Sequence, residues 1–141
     1  MDITEPYKNM LLDEIAFARR KITEEQNFDN KIFYYSATFG MTRRILNFKY
    51  DPQLQFVDFV LTLSYQYMLA RLTAIKSGDL TIPLQASFFD DLVYCLEQLE
   101  EKIRNNDDIY IVLQKIVNLT SLTDGNGYYL SQKGIQVFQR E

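Results

Sequence analysis

The side chains that most often carry enzyme chemistry are scarce in this chain. Histidine, the commonest general base and a common metal ligand, does not occur among its 141 residues. The single cysteine, Cys95, would need a base to act as a nucleophile, and no histidine can serve it. Cys95 stands between Leu92 and Leu96 in an apolar stretch, which is typical of a buried thiol. The sequence therefore predicts no catalytic, metal-binding or cofactor-binding residue and leans against an enzyme.

Two further patterns could support ligand binding, and both favour a structural role. Gly125-Asn126-Gly127 has neither the preceding strand nor the following lysine of a phosphate-binding loop. Tyrosines could line a ligand pocket, but aromatic residues at helical spacing more often form a core with their hydroxyl groups at its rim. We therefore assign six tyrosines to the core: Tyr7, Tyr34, Tyr35, Tyr65, Tyr67 and Tyr94.

The stretch 51–78 is the element around which the others must be arranged. Asp51-Pro52 is an N-cap acceptor followed by a residue suited to the first helical turn, and Gly78 can adopt the left-handed conformation that ends a helix. Apolar side chains cover most of this helix, and a helix of that kind must be enclosed by others. Only a thin line is polar: Gln55, Asp58, Thr62, Gln66, Thr73 and Lys76. We therefore expect a central helix at about 52–77.

Asp58 and Arg71 are the two charged residues inside this largely apolar helix. An unpaired buried ion is costly, so each must lie on the polar line or find a partner. Asp58 follows the line with Thr62. Arg71 fits it less well, and we expect it in a buried or interface ion pair with an acid of the helix that begins near Ser87.

The rest of the chain also follows helical periodicity. Tyr7, Leu11, Ile15, Ala18 and Ile22 form one stripe of a helix that starts near Thr4. Residues 28–50 fit either a helix or a β-hairpin, and the helix is favoured because the stripe continues past Gly40. Two further helices are predicted over 87–104 and 108–119. With only five glycines and three prolines, the chain is predicted to be a single all-α domain over residues 1–141, a bundle of five to six helices. A small C-terminal β-hairpin stays open.

Charge and composition limit the partners and the compartment. The net charge of −4 disfavours nucleic acid as the main partner, although residues 31–50 carry basic side chains and no acid. The longest uncharged part of the central helix, 59–70, is shorter than the roughly 20 residues of a membrane span. One cysteine and no signal-peptide pattern favour a cytoplasmic protein. We expect no membrane association.

One stretch resembles a known family. After the turn sequence at 123–127, Tyr128-Tyr129-Leu130-Ser131-Gln132-Lys133-Gly134 is similar to the wing of winged-helix domains, where a strand of the type Tyr-x-Leu-Ser/Thr-x-Lys-Gly leads into a closing helix. The resemblance implies that 96–104 is the second helix and 108–119 the recognition helix. It also implies nucleic-acid contacts by Lys115, Asn118 and Lys133. The predicted recognition helix, however, is mostly apolar.

These observations lead to two functional hypotheses. The first is a non-catalytic helical interaction module that self-associates as a homo-oligomer, because the chain has more large apolar residues than its helical stripes need. A different protein partner remains open. The alternative is a winged-helix DNA-binding transcriptional regulator that uses residues 96–138.

Overall fold

The computed structural model describes residues 1–78, 84 and 86–121, and this part of the chain is helical and contains no strand. Its six helices are α1 (Glu5–Glu24), α2 (Phe28–Tyr35), α3 (Ala37–Leu46), α4 (Pro52–Lys76), α5 (Ala86–Arg104) and α6 (Tyr110–Ser121). The all-α prediction is confirmed for these residues, and the helical interpretation of 28–50 is confirmed as α2 and α3. The suggested C-terminal hairpin lies outside the described residues.

Local side-chain chemistry sets the ends of α4. One carboxylate oxygen of Asp51 accepts the backbone N–H of Leu54 at 2.8 Å, and the other accepts the N–H of Asp2 at 2.7 Å. At the far end, Gly78 has a φ of 98°, a conformation that costs glycine little. Asp51 is buried. Its carboxylate both caps α4 and anchors the start of the chain.

A short break separates α2 from α3 at Ser36. The Ser36 hydroxyl donates to the carbonyl of Phe33 at 2.6 Å, and the Thr38 hydroxyl donates to that of Tyr35 at 2.8 Å. Such local bonds compete with the backbone ladder of a helix. The predicted single stripe is therefore divided between two successive helices.

Contacts at the two ends of the molecule give the direction of each helix. At one end, Lys76 pairs with Asp29, and the rings of Phe28 and Phe89 lie 5.2 Å apart. At the other end, the Asp51 bond brings together the starts of α1 and α4. Here α5 ends and α6 begins, with the ring of Tyr110 5.2 Å from that of Phe56 near the start of α4. Therefore α1, α4 and α6 run one way, and α2, α3 and α5 run the other.

The helix pairings close a circuit around one core. α1 packs against α2, α3 and α5, α4 packs against α2, α3 and α6, and α5 also packs against α6. Buried apolar residues from all six helices form a single cluster. α4 is thus one member of the circuit, and the prediction that it is a central, enclosed helix is wrong. Its neighbours cover one side, while Phe56, Phe59 and Leu69 are exposed on the other.

A bidentate ion pair joins α1 to α5. Nε of Arg19 donates to Oε2 of Glu100 at 2.7 Å, and its Nη2 donates to Oε1 at 3.2 Å. The hydrogen bond to Glu100 raises the pKa of Arg19 above its ordinary value, and the charges of Glu100 and Glu97 add to this effect. The Glu100 side chain is only 5% exposed, so its carboxylate depends on Arg19 for compensation.

We expect Arg19→Met to lower the free energy of unfolding by about 2 kcal/mol, because it leaves the buried Glu100 carboxylate without its guanidinium. The loss should be smaller than the roughly 3–5 kcal/mol of a fully buried pair, since the Arg19 side chain is 31% exposed. Urea denaturation measures the change. Arg20→Met is the matched control, because Arg20 is exposed and should contribute less than about 1 kcal/mol through its position over the Phe17 ring. Equal losses in both variants would contradict the assigned role.

A second buried polar contact joins α2 to α4. The hydroxyl oxygens of Tyr35 and Ser64 lie 2.6 Å apart, and both residues are fully buried. Ser64 donates its own hydrogen to the carbonyl of Leu61 at 2.9 Å, so Tyr35 is the donor to Ser64. Burial raises the pKa of Tyr35 above its ordinary 10.0.

This shift predicts a specific loss of stability in alkali. Above pH 10 the unfolded chain releases the Tyr35 proton while the folded chain keeps it, so the unfolded state binds fewer protons and stability falls as pH rises. The contribution is fully present below pH 10, and at most about 1.4 kcal/mol is lost per pH unit above it. Tyr35→Phe should be about 1 kcal/mol less stable at neutral pH and should show a flatter alkaline slope than the wild type.

Urea denaturation at several pH values between 8 and 12 checks this prediction. Tyr50→Phe is the control, because it removes a tyrosine hydroxyl from an exposed position instead of a buried one. An alkaline slope that is the same for Tyr35→Phe and the wild type would contradict it.

Candidate functional site

The most unusual surface of the described residues is the side of α4 that faces solvent. We call it the outer face and define it by the exposed residues of α4 from Pro52 to Thr73 together with the half-buried Thr62 and Leu63. The exposed members are Pro52, Gln55, Phe56, Phe59, Gln66, Leu69, Ala70 and Thr73. None of these residues is charged. Phe59, in the third turn of the helix, is 59% exposed.

The solvent sides of the other long helices are different. α1 exposes Asp13, Arg20 and Glu24, and α5 exposes both acids and bases, among them Glu101 and Lys102. Charged residues are the usual covering of a solvated helix face. Over about six turns the outer face of α4 exposes no charged residue, and the half-buried Asp58 beside it is paired with Arg43, so this side of α4 resembles a surface that meets another apolar surface.

A cluster of polar side chains borders the outer face on its α3 side. Nε of Arg43 lies 3.4 Å from Oδ1 of Asp58, and Nη2 of Arg43 donates to the Thr62 hydroxyl at 3.0 Å. The buried Thr42 hydroxyl lies 2.6 Å from the same Asp58 oxygen and 2.7 Å from the Phe39 carbonyl. The charges of Arg43 and Asp58 thus neutralise each other beside the face.

An open groove of about 270 Å³ runs along this border. Its walls combine the ion pair with apolar and amide side chains: Arg43, Gln55, Asp58, Phe59, Thr62, Leu63 and Gln66. Apart from the Arg43–Asp58 pair, the lining side chains of the groove are apolar or neutral polar groups.

Aromatic residues border the outer face on its α6 side. Phe56 contacts Tyr110, which is itself exposed, and the adjacent Ile111 is 70% exposed. The apolar surface therefore continues from α4 onto the first turn of α6.

The two predicted interface residues have separate positions on α4. Asp58 is half-buried and pairs with Arg43, whereas Arg71 is only 3% exposed and lies on the inward side of the helix. Burial of Arg71 agrees with the sequence expectation, and an acid of α5 as its partner stays a prediction. Thirteen residues of helix, about 20 Å, separate Asp58 from Arg71, so the fold does not bring them into one site.

The residues implied by the winged-helix resemblance are only partly described. Lys115 and Asn118 lie half-buried on α6, and the side-chain oxygen Oδ1 of Asn118 accepts from the side-chain amide of Gln114 at 3.1 Å. Lys133 and the wing sequence lie outside the described residues. Lys115 is the single basic residue of α6.

The remaining candidate functional residues, the cysteine and the tyrosines, lie in the core or make separate aromatic contacts. Cys95 is fully buried. Tyr7 stacks on Phe48, and Tyr65 packs edge-on against Phe39, so these tyrosines do not share a pocket. Over residues 1–78, 84 and 86–121, no group of acids and cysteine is placed to hold a metal ion.

Sequence reasoning missed Phe59 and Arg43 as members of the surface. Phe59 was assigned to an enclosed helix because its type is apolar, and only the number of neighbouring helices decides its exposure. Arg43 lies on α3 and pairs with Asp58 on α4. The spacing of residues along the sequence does not predict a contact between two helices. The one available signal was the scarcity of charge along the polar line of α4, where Asp58 and Lys76 are the two charged residues.

Comparison of the chain with family models, curated proteins and solved structures gives no match. Within the described part of the chain, no helix is both long and apolar enough to cross a membrane.

Proposed function

We propose that this protein is a non-catalytic helical-bundle module that self-associates, and that copies bind each other through the outer face of α4. The charge-free outer face is the observation that carries this proposal. The proposal places the module in the cytoplasm, which is supported by a single cysteine that is fully buried.

Three properties of the outer face support a protein contact. Its centre holds Phe59, and aromatic residues are enriched in interfaces while charged residues are depleted from interface cores. Its border charges, Arg43 and Asp58, are already paired within one copy, so association need not leave either one uncompensated. Its glutamine and threonine side chains can exchange bonds with water for bonds with a partner.

A second copy is the simplest partner for such a face. Most soluble oligomers are symmetric, and a two-fold contact uses the same patch on both subunits. A charge-free patch can meet itself without bringing like charges together. A strongly acidic or basic partner would find no opposite charge on this face.

Phe59→Glu tests the proposal, because it places a charge at the centre of the outer face. We expect the wild type to be larger than a monomer by sedimentation equilibrium at concentrations between about 1 µM and 1 mM. The Phe59→Glu variant should be a monomer with the helix content of the wild type and cooperative thermal unfolding at a temperature that does not depend on protein concentration.

Phe33→Glu is the matched control. Phe33 is 62% exposed, almost the same as Phe59, but it lies on α2. The Phe33→Glu variant should associate as the wild type does. A monomeric wild type, or equal loss of association in both variants, would overturn the proposal.

Duplex DNA binding through α6 is the alternative function. Its support is the partial exposure of Lys115 and Asn118 on one helix together with the wing-like sequence that contains Lys133. Its weakness is charge, because a duplex is held largely by cations and the chain is net acidic.

The alternative predicts duplex binding that falls with added salt. Lys115→Ala and Lys133→Ala should each weaken binding by a similar factor for all sequences and reduce the salt dependence. Fluorescence anisotropy with a labelled duplex of mixed sequence measures both effects. Absence of binding at low salt would remove this alternative and leave the self-association proposal unaffected.

A further inference from the structure

The outer face contains a regular seam that suggests how two copies meet. Six of its residues recur at intervals of four, three, four, three and four: Gln55, Phe59, Thr62, Gln66, Leu69 and Thr73. This is the spacing of a heptad seam, by which two helices pack along each other. We call these six residues the α4 seam. It extends for about 27 Å, so its six residues can form six layers of contact.

The α4 seam is complementary to its own reverse. If a second α4 runs in the opposite direction with the centre of the contact at the level of Ser64 along the helix axis, residues whose numbers add up to 128 face each other. Phe59 then meets Leu69 of the partner subunit, and Thr62 meets Gln66 of the partner subunit. At the two ends, Gln55 meets Thr73 of the partner subunit. Apolar side chains therefore meet apolar ones, and amides meet hydroxyls.

Shifting this register by one heptad in either direction destroys the match. When the numbers of facing residues add up to 121, Phe59 meets Thr62 of the partner subunit. With the sum at 135, Phe59 meets Lys76 of the partner subunit. The register at 128 is also the one of the three with the longest overlap of the two seams.

Charges and helix dipoles favour the antiparallel direction over the parallel one. A parallel pair would place each Arg43–Asp58 cluster at the same level as its copy and would align the two helix dipoles. In the antiparallel register, Asp58 lies at the level of Ala70 of the partner subunit. The two Asp58 residues are then about 18 Å apart along the helix axis.

The groove beside the seam supports the same arrangement. Phe59, Thr62 and Gln66 line one side of this open groove of about 270 Å³, and Leu69 is a projecting side chain that is 42% exposed. In the register at 128, Leu69 of the partner subunit lies over the Phe59 end of the groove. Each copy thus offers both a projecting side chain and a recess, as a two-fold contact requires.

We infer that the second copy binds by two-fold antiparallel pairing of α4 with α4, with the α4 seam in the register that places Phe59 against Leu69 of the partner subunit. This inference rests on the proposed self-association and specifies its geometry.

Cysteine crosslinking of the full chain tests the geometry. Gln55→Cys and Thr73→Cys are prepared as separate single variants, which keep Phe59 and Leu69. In the antiparallel register the two sites face each other across the contact, whereas two Gln55 positions are about 27 Å apart along the axis. Each variant alone, and an equimolar mixture, is treated with a short bifunctional maleimide at a concentration where the wild type is associated.

We expect crosslinked dimer in the mixture and little in either variant alone. Random exchange makes about half of the dimers in the mixture mixed, so up to about half of the chains should crosslink. The wild type is the background control, because its only cysteine is fully buried.

The outcomes separate this inference from the proposed function. Crosslinking of each single variant with itself would show parallel pairing and overturn the geometry, as would an associated wild type whose variants crosslink neither alone nor in the mixture. In both cases self-association survives. A wild type that is monomeric at every concentration would overturn the geometry and the proposed function together.

Discussion

A helix buries only the part of its circumference that neighbouring helices cover. At α4 this constraint decides which apolar side chains enter the core and which form the outer face. The helix is apolar around most of its circumference, but α2 and α3 cover it on one side and α6 on another. Leu54, Val57 and Leu61 enter the core, while Phe56 and Phe59 are left in solvent. The excess of apolar residues, which the sequence pattern assigns to an enclosed helix, is left partly exposed on α4, and in the proposed dimer a second chain covers it.

The constraint on polar groups is equally strict inside the circuit. Glu100 and Tyr35 each place a polar atom where water cannot reach, and each finds its partner on a different helix, Arg19 on α1 and Ser64 on α4. Because a buried polar atom without a partner is costly, these contacts disfavour arrangements that slide α5 along α1 or α2 along α4. The same rule explains why Arg43 and Asp58, beside the outer face, are already paired before any partner binds.

Periodicity and capping predicted most of the helices, because both act between residues close in sequence. Asp51 caps α4, and Gly78 ends it in the left-handed conformation expected from its type. The break at Ser36 was missed, because the hydroxyl bonds that accompany it compete closely with an unbroken helix. The outer face was missed for a different reason. Whether Phe59 is buried depends on how many helices surround α4. That number is set by the packing of the whole fold and not by the pattern of apolar residues along α4.

The energetics of the α4 seam explain why it mixes apolar and amide residues. Full burial of a Phe or Leu side chain contributes about 1.5–3 kcal/mol, so the exposed parts of Phe59 and Leu69 contribute about 1 kcal/mol each. Two copies of each give about 4 kcal/mol, which is at the lower end of the roughly 4–15 kcal/mol that association costs. The seam by itself therefore sets a register without fixing a permanent dimer. Any stronger association must draw on the flanking apolar residues Phe56, Tyr110 and Ile111, so the affinity will measure how much of that flank is in contact.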